Sequence, residues 1–463
     1  MKFATRNEEP IIALCTPQGS GALALLRISG QDSVDVVDKL SCLVSKKKLK
    51  NNLSHTIHFG NIVASDGSVV DEVLFFLMRA PNTFTGEDTV EITCHNNNFI
   101  IEQIISEAIL NGARLALPGE FSRRAFLNSK IDLIQAEGIN DVISSQSDHA
   151  LKKSMGQMQG TFSNYIQKIE MDILKALTYS EAHFEFLEEE QRDLDLGQNL
   201  KNELDKLIFK IQKLKESFSL QKQIKEGIRI SLIGLVNAGK STLFNALLNQ
   251  DRAIVTDIPG TTRDSIEASL YKGGGFWTLT DTAGLRKTDD FIEKVGIERS
   301  IKEADKADIV LLVIDSSKKL SDEEQSVYLD LVNKYMEKVI IVFNKIDILG
   351  KNNSMSLGSF GAIFVSASEK TGIKTLIEEI ERKVQYIFQK CHSPFLLNKR
   401  QYGLLCNAEK ILFSINDQLK ISVDYELVSY SLKESLKILG EITGKTVSEK
   451  MLDDIFNTFC IGK

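Results

Sequence analysis

The 463-residue chain is poor in several residue types, with six prolines, six cysteines and a single tryptophan. Cys15, Cys42, Cys94, Cys391, Cys406 and Cys460 form no close pair, which argues against both a zinc site and a disulfide framework. No stretch approaches 18 uninterrupted apolar residues, and no apolar segment with a cleavage site follows Met1. Those absences argue against an integral membrane protein and against secretion, and a reduced, cytoplasmic chain is expected. An excess of positive charge is missing too. Lys+Arg number 56 and Asp+Glu 63, a net charge of −7, so no whole-chain field draws the protein onto nucleic acid or an anionic membrane. The apolar fraction of 43% with 26% charged residues excludes a disordered chain. At about 150 residues per domain, the length suggests roughly three domains.

The scarce prolines are unevenly placed. Four of the six precede residue 119, and none lies between Pro118 and Pro259. Proline breaks helix interiors, so this gap permits long helices. Periodicity supplies the positive argument: Phe162, Ile166, Ile169, Ile173 and Leu177 recur every three or four residues, as do Leu200, Leu204, Leu207, Ile211 and Leu214. The polar run from Glu185 to Asn199 between them reads as a helix–helix corner. The first 118 residues instead carry short β-branched runs (11–17, 22–30, 55–64, 69–78, 88–95) and one helical segment at 99–113, an α+β pattern. From Ile228 to about Lys390 apolar strands alternate with helical segments, as in a parallel sheet covered on both faces. Beyond Pro394 the pattern is helical again. The expected architecture is multidomain: an α+β domain at 1–120, a helical domain at 121–226 and 389–463, and an α/β domain at 227–388 inserted in it.

Four motifs inside the α/β segment carry chemistry. Gly234–Ser241, "GLVNAGKS", follows an apolar strand and opens a helical run, the context of a phosphate-binding P-loop. Its backbone N–H groups can cradle a β-phosphate, Lys240 can reach β/γ oxygens, and the Ser241 hydroxyl can ligate Mg²⁺. In "DTAG" (281–284), Asp281 is placed to hold Mg²⁺ through water and Gly284 to present an N–H to a γ-phosphate. "NKID" (344–347) offers Asp347, whose carboxylate accepts from the N1–H and amino group of guanine; adenine has no N1–H, so GTP is selected over ATP. Ser366, Ala367 and Ser368 stand where a second base-binding loop is expected. After Gly284 comes Leu285 rather than a glutamine able to orient water, and Arg263 and Arg286 are the candidate switch-region cations.

The chain resembles the tRNA-modification GTPase family called MnmE or TrmE, within the TrmE-Era-EngA-YihA-Septin-like superfamily. The likeness runs over nearly its whole length. It is carried by "TPQGSGALALLRISG" (16–30), "FTGEDTVEITCH" (84–95), "PGEFSRRAFLNSKIDLIQAEGINDVI" (118–143), "NAGKSTLFNALLN" (237–249), "GTTRDSIE" (260–267), "DTAGLRKT" (281–288), "EKVGIERS" (293–300) and "FCIGK" (459–463). The resemblance implies a K⁺-stimulated GTPase with a tetrahydrofolate-binding, dimerising N-terminal domain. With the flavoprotein MnmG, such an enzyme adds an aminomethyl or carboxymethylaminomethyl group to C5 of the wobble uridine of certain tRNAs. The one-carbon unit comes from 5,10-methylene-tetrahydrofolate, of which 5-formyl-tetrahydrofolate is an analogue.

Residue by residue, the resemblance makes Asn237 the side-chain K⁺ ligand, with Thr256, Ile258 and Thr261 in the loop closing over the ion. Thr262 is the second Mg²⁺ ligand, and Glu293 orients the hydrolytic water indirectly. The nucleotide set then comprises Asn237, Ala238, Gly239, Lys240, Ser241 and Thr242; Thr256, Asp257, Ile258, Pro259, Gly260, Thr261 and Thr262; Asp281, Thr282, Ala283 and Gly284; and Asn344, Lys345, Asp347 and Ser366–Ser368. Arg27, Glu87, Lys130 and Lys463 match folate-contacting positions, and Cys460 the near-terminal cysteine associated with the modification chemistry. If the four folate positions attend one ligand, the C-terminal segment must return to the N-terminal domain. Asn96, Asn97 and Asn98 replace the family's usual glycines, and their tolerance of left-handed backbone is expected to preserve the turn. Val236 stands where proline is common. Two other readings stay open: a ribosome-assembly GTPase with the same loops, and a GTP-dependent scaffold that does not hydrolyse.

Overall fold

A computed structural model describes residues 9–17, 19, 21–185, 194–216, 218, 223–225, 227–248, 266–272, 274–281, 301–348, 361–390, 393–421 and 424–462. It divides into two compact units. The first comprises Met1–Asn140, Gly156–Ile208 and Gly403–Lys463; the second, Asp141–Met155 and Phe209–Tyr402. The second unit is thus inserted in the first, while the sequence-based boundaries at 226 and 388 fall inside it.

In the first unit, β1 (Ile11–Leu14), β2 (Leu23–Ser29), β3 (Ser41–Leu43), β4 (Thr56–Val63), β5 (Val69–Met78), β6 (Thr89–His95) and β7 (Arg114–Leu115) form one sheet in the order β3-β4-β5-β6-β2-β1-β7. Alternation sets its two faces. Leu26 and Ile28 of β2, Val73, Phe75 and Leu77 of β5, and Val90 and Ile92 of β6 point into one core with helices Ser33–Leu40 and Asn98–Leu110. Leu26 and Ile92 are cross-strand partners, as are Arg27 and Glu91 on the opposite face. The helix Thr161–Glu185 buries Phe162, Ile166, Ile169, Ile173 and Leu177, the stripe its periodicity predicts. It lies along helix Tyr425–Thr443, where Ser180 Oγ donates to the Tyr425 carbonyl at 3.0 Å and Lys445 pairs with Glu170. Of the expected corner at 185–199, residues 186–193 lie outside the described residues; Glu185 ends helix Thr161–Glu185 and 194–199 open helix Leu194–Glu216.

The second unit holds β8 (Ile228–Ile233), β9 (Ile266–Lys272), β10 (Gly275–Asp281), β11 (Ile309–Asp315), β12 (Val339–Asn344) and β13 (Ala362–Phe364), in the order β13-β12-β11-β8-β10-β9. All neighbours are parallel except β9 and β10. Every residue of β11 is buried, because alternate side chains enter two separate apolar layers on opposite sheet faces. The short segment Gln146–Asp148 joins the hairpin tip: Phe276 N–H donates to the Gln146 carbonyl at 3.0 Å and Asp148 N–H to Gly274 at 2.7 Å. Tyr271 Oη donates to Asp148 Oδ1 at 2.8 Å.

Candidate functional site

β8, β10, β11 and β12 end on the same edge of the parallel sheet, so Gly234, Asp281, Asp315 and Asn344 are delivered to its carboxyl end, where open α/β sheets bind their ligands. The loop leaving β8 turns through Asn237 in left-handed conformation (φ 63°) and Gly239 (φ 88°), then opens helix Lys240–Leu248. Asparagine tolerates that backbone better than most residues. At Gly239 a Cβ would collide with Asn344 Nδ2, so only glycine lets the two loops approach. Ser241 and Thr242 are exposed in the first helical turn, where N–H groups lack intrahelical partners and an anion is favoured. Lys240 is buried to 8% exposure, its Nζ donating to the Gly234 and Leu235 carbonyls at 2.9 Å each.

Asn344 links three segments distant in sequence. Its Nδ2 donates to the Ala238 carbonyl at 3.0 Å and to Gly239 at 3.4 Å, while its Oδ1 accepts from Ala367 N–H at 3.1 Å. Lys345, in left-handed conformation at φ 66°, pairs with Asp315 at 2.7 Å. Burial opposes ionisation of Asp315, but Lys345 and the Ser317 hydroxyl and N–H outweigh it and hold its carboxyl below the usual range. Asp347 is exposed in the short 3₁₀ turn Ile346–Ile348. Ser366 is buried and accepts from Glu369 N–H at 3.2 Å; Ser368 is exposed. Sequence reading assigned Asn344 only to a base loop. Its bonds to the phosphate loop connect partners about a hundred residues apart, which a motif cannot display.

Thr256, Asp257, Ile258, Pro259, Gly260, Thr261, Thr262, Thr282, Ala283, Gly284, Glu293 and Lys463 lie outside the described residues, as do Arg263, Leu285 and Arg286. Asp281 is described only in its backbone, as the last residue of β10.

A second cluster forms in the first unit around the segment Phe84–Glu87. Arg27 lies over the rings of Phe84 and Phe121, at 5.8 and 5.5 Å, and its Nε donates to Glu91 at 2.8 Å. Glu87 accepts from Ser29 Oγ at 3.0 Å and from Arg124 at 3.1 and 3.3 Å, so its carboxylate is already held by two residues that the motifs did not single out. Lys130 is exposed, packs its stem near Gly86 and donates to the Pro81 carbonyl at 2.8 Å. The C-terminal segment does return to this domain. Gly119 N–H donates to the Cys460 carbonyl at 3.3 Å, and Cys15 Sγ to that of Gly462 at 3.3 Å. Gly462 has φ 93° with a Cβ position 2.6 Å from the Leu14 carbonyl, so no other residue fits the approach. Cys460 is exposed.

The expectation for Asn96–Asn98 needs correction. None of the three has positive φ; Asn97 is extended (φ −123°) and caps helix Asn98–Leu110 by accepting from Phe99 N–H at 2.9 Å, while Asn96 Nδ2 donates to the Gly19 carbonyl. Asparagine serves this turn through its side chain rather than its backbone freedom. Among the described residues no cluster of His, Cys, Asp and Glu could hold a metal, and no helix is long and apolar enough to cross a membrane.

The P-loop motif after β8 is tied by Asn344 to the NKID loop at the carboxyl end of a parallel sheet, and the second unit is a P-loop GTP-binding domain. The flanking segments narrow the class. A model of the GTP-binding protein TrmE N-terminus matches residues 10–130 and one of the MnmE helical domain matches 133–460. The tRNA modification GTPase MnmE of Flavobacterium johnsoniae is 38% identical over 99% of this chain and 100% of its own length. That of Aquifex aeolicus is 38% identical over 98% of this chain and 100% of its own. The G domain of the T. maritima FeoB iron transporter, 26% identical, covers 35% of this chain and 98% of its own at a TM-score of 0.26, too loose to add to the fold read from strand order. The chain belongs to the MnmE family of tRNA modification GTPases. It is a GTP-hydrolysing enzyme that acts in tRNA modification.

Proposed function

We propose that this enzyme is a K⁺-stimulated, Mg²⁺-dependent GTPase which, as a cytoplasmic homodimer working with the flavoprotein MnmG, modifies C5 of the tRNA wobble uridine using a folate-borne one-carbon unit. In the nucleotide site, the N–H groups from Asn237 to Thr242 hold the phosphates and Lys240 neutralises β/γ oxygens. Asp347 reads guanine, with Asn344, Lys345 and the loop Ser366–Ser368 shaping the base pocket. Ser241 with Thr262 fits a hard divalent cation, and Asp281 suits a water-mediated contact to it. Asn237, exposed at the head of the loop, offers the neutral oxygen that suits a large monovalent ion, with Thr256, Ile258 and Thr261 completing the set. Glu293 orients the attacking water and Gly284 senses the γ-phosphate.

The observation that carries the folate half is the meeting of the Cys460–Gly462 segment with Cys15 and Gly119 in the unit that holds Arg27, Glu87 and Lys130. The Arg27 guanidinium beside the half-open ring of Phe84 fits an aromatic ligand with a carboxylate tail. Lys463 and Cys460 then complete the site. The deciding experiment is mass spectrometry of tRNA nucleosides from cells lacking this protein, paired with titration of 5-formyl-tetrahydrofolate into the purified chain. Loss of the wobble modification with saturable folate binding is the expected result. An intact modification and no folate binding would return the field to a ribosome-assembly GTPase.

A further inference from the structure

Tyr328 lies in the helix Asp322–Lys334, 1% exposed, within the apolar layer formed by Ile233, Val310 and Leu312. Its hydroxyl accepts from the Leu235 N–H at 3.2 Å and donates to the Val313 carbonyl at 3.3 Å. Burial, the largest influence, pushes the phenol up to about 12, so the donor proton is kept at any working pH. The Leu235 N–H and the Gly234 carbonyl belong to one rigid peptide plane. That carbonyl accepts from Lys240 Nζ at 2.9 Å, so the plane is gripped by Tyr328 through its nitrogen and by Lys240 through its oxygen.

We infer that Tyr328 is a positioning residue for GTP hydrolysis, its hydroxyl fixing the Gly234–Leu235 peptide so that the carbonyl holds Lys240 in line with the phosphates. A phenylalanine fills the same apolar space but leaves the N–H of Leu235 and the carbonyl of Val313 without this partner. The plane is then free to rotate, and the ammonium loses the fixed Gly234 carbonyl. The inference rests on the assignment of Lys240 to the phosphates.

A double-mutant cycle in single-turnover GTP hydrolysis, at a temperature where all variants are folded, tests it. Tyr328→Phe is expected to lower kcat/KM about tenfold, the scale of one lost buried hydrogen bond. Lys240→Ala alone should cost far more, and adding Tyr328→Phe to it should change the rate less than twofold further. A Tyr328→Phe enzyme within twofold of the parent overturns the inference, and so does a full tenfold loss repeated on the Lys240→Ala background. If instead Lys240→Ala alone hydrolyses normally, the assignment of Lys240 itself fails. Amide exchange in the unmodified chain keeps the test open should Tyr328→Phe not fold: slow exchange at Leu235 is expected, and exchange at the rate of a free loop overturns the contact.

Discussion

Replacing Asn344 by alanine tests whether the base and phosphate loops act as one receptor. The substitution removes the donor to Ala238 and Gly239 and the acceptor for Ala367 N–H. It strands two groups on residues that are themselves buried, the Ala238 carbonyl and the Ala367 N–H. A stranded buried polar group costs about 1–3 kcal/mol, and loop ends relieve part of that by drifting towards water. Such relief is open to the free protein but is lost when nucleotide draws the loops together, so the cost falls mainly on binding. A penalty of about 2–3 kcal/mol corresponds to a rise in the GTP dissociation constant of roughly 30- to 150-fold. Fluorescent-GTP titration reads that rise, and a thermal melt checks the fold. Asn344→Asp should bind no better than the alanine variant, because a carboxylate oxygen would then face the Ala238 carbonyl. GTP affinity within threefold of the parent in a folded Asn344→Ala protein would show that the two loops bind nucleotide independently of this side chain.

Asp347→Asn should weaken GTP by about 1.5–3 kcal/mol and improve binding of xanthine nucleotides, since a donor would then face a donor; a competition titration with both bases gives the answer. Hydrolysis should be much faster in KCl than in NaCl at equal ionic strength, and Asn237→Ala should erase most of the difference; equal rates in the two salts would dismiss Asn237 as an ion ligand. Deleting residues 460–463 should weaken 5-formyl-tetrahydrofolate binding and abolish tRNA modification while GTP hydrolysis persists, as calorimetry and nucleoside analysis on the same variant will report. Burial, aided by Asp71, pushes the Cys94 thiol from its ordinary 9.0 up to about 11. Its folded-state pKa is raised, so its contribution is intact below about pH 9 and is lost as pH climbs towards 11. Over that range the unfolding free energy should fall by about 2–3 kcal/mol more in the parent than in Cys94→Ala, measured by urea titration at each pH.

Strands were legible wherever burial dictated composition. The runs at 228–234, 308–315 and 338–345 coincide with β8, β11 and β12 because both faces of those strands are covered and only apolar side chains fit. β9 was missed, since an edge strand such as IEASLYK mixes polar and apolar residues and gives no continuous run. Phosphate and base motifs were legible because their chemistry requires fixed residue types at fixed spacing. The roles of Tyr328 and Arg124 were not. A tyrosine on a helix reads as core, and only the fold reveals that its hydroxyl reaches Leu235. Arg124 likewise looks like one of two adjacent arginines until its contacts with Glu87 and Glu120 are seen. Periodicity specifies which face is buried, not what waits across it.

The meeting of Cys460 and Gly462 with Gly119 and Cys15 also sets a timetable for biogenesis. A nascent chain lengthens at about 5–20 residues per second, and more than 300 residues separate Gly119 from its partner, so the first sheet emerges on the order of 20–70 s before the segment that seals it. During that interval every described strand of the interposed GTP-binding unit, all of them between Phe209 and Tyr402, has already been synthesised. A ribosome that stalls in the last turns would therefore leave the whole GTP-binding sheet translated while the contacts of Gly119 and Cys15 with the C-terminal segment are still unmade.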